Sequence, residues 1–169
     1  MITKFKIFES VQDDIGFGVG AEYTNDSGEL FWGNLGAGIL PICKSTGRIL
    51  VAYRGQFVNE PHTWGIFGGK LDEESNEDDL QEVAKREFVE ETGFNGGIRL
   101  IPAYIYKAKG FEYHNFIGIV DDEFEPELDW ETEKTKWLNF DEFQKLYPKH
   151  FGLKALIQND LDKIKMYSK

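Results

Sequence analysis

The sequence predicts an α+β fold, and three observations predict it. Seven short segments of apolar or alternating character, bounded by glycine and aspartate clusters, read as strands at 4–9, 29–32, 37–43, 48–53, 97–107, 113–120 and 136–138. One central stretch, residues 78–92, carries apolar side chains at helical spacing, and two more at 141–146 and 153–166 follow the last strand. Short strands around one central helix, with further helices at the end, set the class without naming the fold.

Asn25-Asp26-Ser27-Gly28 and Lys44-Ser45-Thr46-Gly47 read as hairpin turns. The segment Thr63-Trp64-Gly65-Ile66-Phe67-Gly68-Gly69-Lys70 reads as a loop, because paired glycines permit backbone angles closed to other residues and let a carbonyl approach a ligand closely. An acidic run at 72–79 follows, which suits the positive end of a helix dipole, with Asn76 or Asp78 as the N-cap.

A chain of 169 residues is long enough for one well-filled domain and short for two, so a single domain over 1–169 is expected. The single cysteine, Cys43, has no partner for an intrachain disulfide and is expected to pack as a small apolar residue. The N-terminal residues lack a sustained apolar core and no apolar run is long enough to span a bilayer, which predicts a cytoplasmic setting and no membrane partner. A net charge of −11 argues against an extended nucleic-acid surface, which needs clustered Lys and Arg. Small phosphorylated substrates remain compatible if a metal bridges the charges. Residues 121–133 hold eight acids and no base, and residues 144–169 are mainly basic among their charged positions; both read as solvated faces.

The central helix is unusual in where it puts its charge. At about 100° per residue, Leu80, Val83, Ala84 and Phe88 form an apolar stripe, and Glu87 and Glu91 fall within about 35° of its centre, with Glu90 further round near Val83. Two carboxylates about 6 Å apart repel by roughly 3 kcal/mol at an effective dielectric of 20 and lose hydration against the protein. A positive group should therefore sit there. Arg86 can reach Glu90 at i+4, and a hard divalent cation would neutralise the rest. All-oxygen donors suit magnesium or manganese better than zinc.

Gly69, a spacer, and then Arg86-Glu87-Phe88-Val89-Glu90-Glu91-Thr92-Gly93-Phe94 resembles the Nudix box of the Nudix hydrolases. The second half matches at every fixed position. The first half departs: 16 residues separate Gly69 from Arg86 where the pattern has 13, so the loop carries three extra residues. The box's first glutamate becomes Asp78 counting back and Ser75 counting forward, with Glu74 and Glu77 as neighbours, and the usual Pro-Gly-Gly is Phe67-Gly68-Gly69. The motif itself is confined to 63–94, the element order agrees with the family from about residue 35 onward, and residues 1–34 read as an N-terminal elaboration.

The resemblance implies an α/β/α sandwich around a mixed sheet, and metal-dependent hydrolysis of a nucleoside diphosphate linked to another group, with Mg2+ or Mn2+ as cofactor. It implies Glu90 and Glu91 as principal metal ligands, Glu87 as a further ligand or the general base, the Gly68 carbonyl as a ligand, and Arg86 as the group orienting the glutamates. A further acid six residues before a core tryptophan is Glu131, counted from Trp137, with Glu133 as the nearby alternative. For the substrate, a small nucleotide, Trp64 and Phe67 are the expected stacking rings and Arg54 and Lys70 the expected phosphate contacts. His62, near the loop, is the one histidine of interest. The rival reading is a Nudix domain that binds a nucleotide without cleaving it. Nucleoside triphosphates, nucleotide sugars and dinucleoside polyphosphates all remain open as substrates, as does the oligomeric state.

Overall fold

The computed structural model describes residues 35–58, 60–70, 80–108 and 111–169. The expected strands at 4–9 and 29–32, the turn at 25–28 and the helix cap within 71–79 lie outside these residues.

β1 (Leu35–Cys43) is a nearly continuous apolar run, and from Gly36 onward every residue of it is buried, as expected of a strand covered on both faces. The turn at 44–46 returns the chain into β2 (Ile49–Arg54), with the Cys43 amide donating to the Arg48 carbonyl at 2.8 Å. Cys43 is buried, as expected. Two short strands follow, β3 (Trp64–Gly65) and β4 (Phe67–Lys70), then helix α1 (Leu80–Thr92) and the hairpin β5 (Ile98–Ala108) and β6 (Phe111–Val120). β7 (Thr132–Leu138), α2 (Phe140–Lys145) and α3 (Phe151–Tyr167) complete the chain.

These strands form one mixed sheet in the order β3-β2-β1-β6-β5, with β4 also paired to β1 and β7 to β2. β1 and β6 run parallel over their full register, Leu35 opposite Glu112 to Cys43 opposite Val120, and the other pairs are antiparallel. Side chains alternate across β1, so its two sets of apolar residues feed two separate cores. Ala37 and Ile39 join Leu50, Ala52, Phe67 and Phe116 against Ala84 and Phe88 of α1. Leu40 and Ile42 join Ile49, Val51, Trp64 and Ile117 against Phe143 of α2 and Leu153, Leu156 and Ile164 of α3. A helix on one face and two on the other make the expected α/β/α sandwich.

The segment 63–70 differs from the expected loop, because Trp64 and Gly65 pair with β2 and Phe67 to Lys70 pair with β1. Glycines in that segment admit close backbone approach, and the ladder partners come from distant parts of the chain. β7 is also longer than expected, since Thr132 to Lys136 are polar residues whose strand identity comes from pairing with β2.

Two helix ends are specified locally. Gly93 takes φ +66° immediately after α1, its amide bonding to the Val89 carbonyl at 2.8 Å, while the Thr92 hydroxyl donates back to the Phe88 carbonyl at 2.6 Å. This is a left-handed stop that glycine adopts without a Cβ penalty. At the other end of the chain, Asn139 and Glu142 form a reciprocal capping box on α2, each bond 2.9 Å. Asn139→Ala is expected to lower stability by about 1 kcal/mol, measured by chemical denaturation.

Candidate active site

Helix α1 is fixed to the sheet through Phe88, which is fully buried and packs edge-on to Phe67 at 5.5 Å and to Phe124 at 6.0 Å between ring centroids. Glu87 and Glu91 flank Phe88 one helical turn apart and are carried toward β4 with it. Gly69 lies so close to Glu87 that a Cβ there would meet Oε2 at 2.6 Å. Gly68 donates its amide to the Glu91 carboxylate. The glycine pair therefore serves as a seat for the two glutamates.

Glu91 is the most perturbed carboxyl of the cluster. Burial raises its pKa well above the ordinary value, the charges of Glu131, Glu87 and Asp129 raise it further, and the Gly68 amide opposes them. Its Oε2 is buried and has no hydrogen-bond partner, a condition shared among the described residues with Asn115 Oδ1 and Asp160 Oδ2. A buried acceptor left unmatched among three other carboxylates is a place prepared for positive charge.

Glu131 reaches this cluster from the start of β7. Its carbonyl accepts from the Gly55 amide at 2.8 Å and its amide donates to Asp129 Oδ1 at 2.9 Å, which pins the residue where β2 and β7 diverge. It is 8% exposed, as is Arg54 at the end of β2. Burial lowers the Arg54 pKa to about 10, and Glu91, Glu131 and Glu60 act in the opposite direction, so Arg54 stays cationic at neutral pH within reach of these carboxylates. Glu133, the alternative acid, is exposed and lies 3.8 Å from His62.

Arg86 contacts Glu87 at 2.9 Å and Glu90 at 3.8 Å. Glu90 lies further round the helix, as its projection near Val83 indicates. Its side chain is 63% exposed against 19% for Glu87, because it lies on the flank of α1 beyond the stripe that touches the sheet. The two proposed stacking rings are corrected: Trp64 is 5% exposed and Phe67 is 1% exposed, each within an apolar core, so neither offers an open face to a base. Lys70 ends β4, and its side chain lies outside the described residues, as do Glu74, Ser75, Glu77 and Asp78.

Three residues near the cluster carry no motif that points to them. His150 is partly buried; desolvation and the nearby Arg54 charge hold it neutral, while its Nδ1 accepts from the Gly152 amide at 3.2 Å to cap α3. Glu60 Oε2 accepts from the Phe151 amide at 3.0 Å and lies 3.8 Å from His150 Nε2. Tyr113, on β6, senses Glu91, Glu87 and Arg54 electrostatically. Only the fold brings these side chains beside Arg54 and the glutamates, so sequence spacing gives no signal for them.

Among the described residues, no group of three His, Cys, Asp or Glu side chains is gathered tightly enough to hold a metal ion as it stands. The donor set nevertheless fits a hard cation: Glu87, Glu91 and Glu131 supply only oxygen, and Glu91 presents an unmatched one. The arrangement to be drawn together is thus two neighbouring helix carboxylates and one from the start of β7.

A mixed sheet between helical layers, with an acidic centre where a helix meets a glycine-rich strand, defines the class as an α/β/α domain with a carboxylate-rich site. The chain belongs to the Nudix family, because residues 33–159 match the family described as the NUDIX domain. A Nudix hydrolase from M. smegmatis, RenU, shares the fold at TM-score 0.65 and 20% identity, with 85% of this chain and 92% of that one covered. The MutT protein of Methanosarcina mazei Go1 aligns at TM-score 0.62 and 15% identity over 83% and 99% of the two chains. A C. elegans Ap4A hydrolase aligns at TM-score 0.57 and 19% identity over 78% and 98%. No curated protein sequence matches.

Proposed function

We propose that this chain is a metal-dependent diphosphate hydrolase that cleaves a nucleoside diphosphate linked to another group, by attack of water on phosphorus. The observation that carries the reading is the buried, unmatched Oε2 of Glu91 among Glu87, Glu131 and Asp129. Glu87, Glu91 and Glu131 would hold Mg2+ or Mn2+, with the Gly68 carbonyl as a further donor and the exposed Glu90 joining from the flank of α1. When bound, the cation supplies charge neutralisation at the phosphate and acidifies a water.

The chain's own residues account for the rest of the chemistry. Arg54 offers a buried, permanently charged fork suited to phosphate oxygens. Glu87 is the general-base candidate where it does not serve as a ligand, since the Arg86 contact fixes its carboxylate and its partial burial limits competing hydration. Glu90 is the alternative base from the same helix. Burial of Arg54 and Glu131 limits bulk water around both groups.

Two of the similar structures carry names that fit this reading, the Ap4A hydrolase and an E. coli dihydroneopterin triphosphate pyrophosphohydrolase. No helix among the described residues is long and apolar enough to cross a membrane, which accords with action on a small soluble nucleotide. The test is a panel of nucleoside triphosphates, nucleotide sugars and dinucleoside polyphosphates in Mg2+, with products identified. Turnover with cleavage between phosphates is expected. Tight binding of a nucleotide with no product would instead favour the non-catalytic reading.

A further inference from the structure

We infer that Phe57 is the ring on which the substrate's base stacks, presented at the rim of the site by the loop that joins β2 to β3. The inference rests on the diphosphate-hydrolase reading above, and it supplies the aromatic surface that Trp64 and Phe67, both within the core, do not.

The first support is where the loop stands. It leaves β2 at Arg54 and returns at Thr63, closed by the Arg54 amide on the Thr63 carbonyl at 2.9 Å and the His62 amide on the Arg54 carbonyl at 3.0 Å. The Gly55 amide donates to the Glu131 carbonyl at 2.8 Å, and a Cβ at Gly55 would meet the Trp130 and Glu131 carbonyl oxygens at 3.0 and 3.3 Å. The loop is thus docked on the segment that carries Glu131 into β7. Phe57 follows two residues after Gly55. At no more than about 3.6 Å per residue, its Cα lies within about 7 Å of the Gly55 Cα and about 11 Å of the Arg54 Cα. A base joined to a diphosphate held at Arg54 and Glu131 falls within that reach.

The second support is how the ring is held. Phe57 is 67% exposed, whereas its neighbour Val58 is 6% exposed and anchors the loop. Thr63 Oγ1 donates to the Glu60 carbonyl at 2.7 Å, and the Glu60 carboxylate accepts from the Phe151 amide at 3.0 Å. Glu60 and His62 take φ +46° and +59°, left-handed angles that cost free energy in residues with a Cβ and persist where the surroundings fix them. A loop held to one shape presents its ring without a further ordering cost on binding. The other exposed phenol or indole rings among the described residues are Tyr147 and Trp130. Tyr147 leads into the bridge between Lys149 and Trp64, on the edge of β3 away from β2, while Trp130 belongs to the same contact with Gly55. A loop tip that served the turn alone would need no ring, since Val58 already anchors it. An uncharged ring also adds no repulsion toward a phosphorylated ligand beside these carboxylates.

Phe57→Ala removes the ring from an exposed position and leaves the backbone hydrogen bonds of the loop in place. The full chain is titrated by calorimetry in Mn2+ with ADP and with inorganic pyrophosphate, which lacks a base. Both kcat and KM are measured in Mg2+ on its best phosphoanhydride substrate. Phe57→Ala is expected to weaken ADP and raise KM by about tenfold each, with kcat and pyrophosphate affinity within about twofold of the wild type. Phe57→Trp should restore ADP binding, and Phe57→Leu, which keeps apolar bulk without a π face, should not. Unchanged ADP affinity and KM in Phe57→Ala would overturn the inference, as would full rescue by leucine or a parallel loss of pyrophosphate affinity. An alanine variant that changes only the oligomeric state overturns it in favour of a contact between copies of the chain. If the wild type turns over no member of the substrate panel, the diphosphate-hydrolase reading fails, and ADP affinity alone decides the role of Phe57. Absence of ADP binding to the wild type overturns that role too.

Discussion

Glu91→Gln is expected to reduce hydrolysis by about 10³-fold or more while leaving the metal-free fold at least as stable as the wild type. The substitution keeps the shape of the side chain and an oxygen for the Gly68 amide, and it removes a buried charge that Glu131, Glu87 and Asp129 all oppose. The pH dependence follows from the direction of the shift. A carboxyl whose folded pKa is raised above its ordinary value of 4.5 binds more protons in the folded state. Its contribution to stability is full below the unfolded value and is lost as the pH rises through the folded one. The metal-free wild type should therefore lose stability relative to the Glu91→Gln variant as the pH rises above the ordinary carboxyl value of 4.5, measured by denaturant unfolding of both proteins at each pH. A wild type that gains on the variant over this rise would show that Glu91 is held as a satisfied carboxylate.

Gly68→Ala is the second large effect, and it acts on stability as well as on the site. The added Cβ would run into the Ala37 carbonyl and the Gly38 Cα, which are backbone atoms that cannot swing aside, in addition to the Tyr113 hydroxyl. Relieving the clash requires β4 to move from β1, which would break the seat of Glu91 and shift Phe67 against Phe88. A loss of about 3 kcal/mol or more is expected, with hydrolysis lost even where the chain still folds. Gly97→Ala is the matched control, because nothing lies within 4 Å of its Cβ position. It should be neutral within about 0.5 kcal/mol. Equal effects of the two substitutions would rule out close packing at Gly68 as the cause.

Much of the fold was legible because its strongest elements are locally consistent. The strands corresponding to β1, β2, β5 and β6 carry apolar or alternating runs long enough to announce themselves, and Thr92-Gly93 encodes the end of α1 by itself. β3 and β4 were not legible, since two to four residues rich in glycine show no period and acquire strand character only from β2 and β1. The same cause misplaced Trp64 and Phe67. An aromatic beside a glycine pair looks available to a ligand until the pairing of its strand turns the ring into a core.

The site divides along a similar line. The placement of Glu87 and Glu91 was legible because helical spacing fixes their face relative to Phe88, and the same projection put Glu90 further round, where it is more exposed. An angle gives the direction of a side chain but not how far the sheet extends to meet it. Glu131 was singled out, with Glu133 as its alternative, by its distance from Trp137, whose indole donates to the Phe124 carbonyl at 3.0 Å and fixes the strand behind it. Arg54 was named by its chemistry, but its burial among carboxylates depends on β2, β7 and the segment around Glu60 meeting in space. Tyr113 and His150 come from β6 and the start of α3, and only the tertiary fold makes neighbours of them.

The central claim, that Glu91 anchors a site for a divalent cation, is tested most directly by calorimetric titration of Mn2+ into the wild type and into the Glu91→Gln variant. Saturable binding to the wild type that is lost or weakened by about tenfold or more in the variant is the expected result. Identical isotherms for the two proteins, or no saturable binding to the wild type, would contradict it.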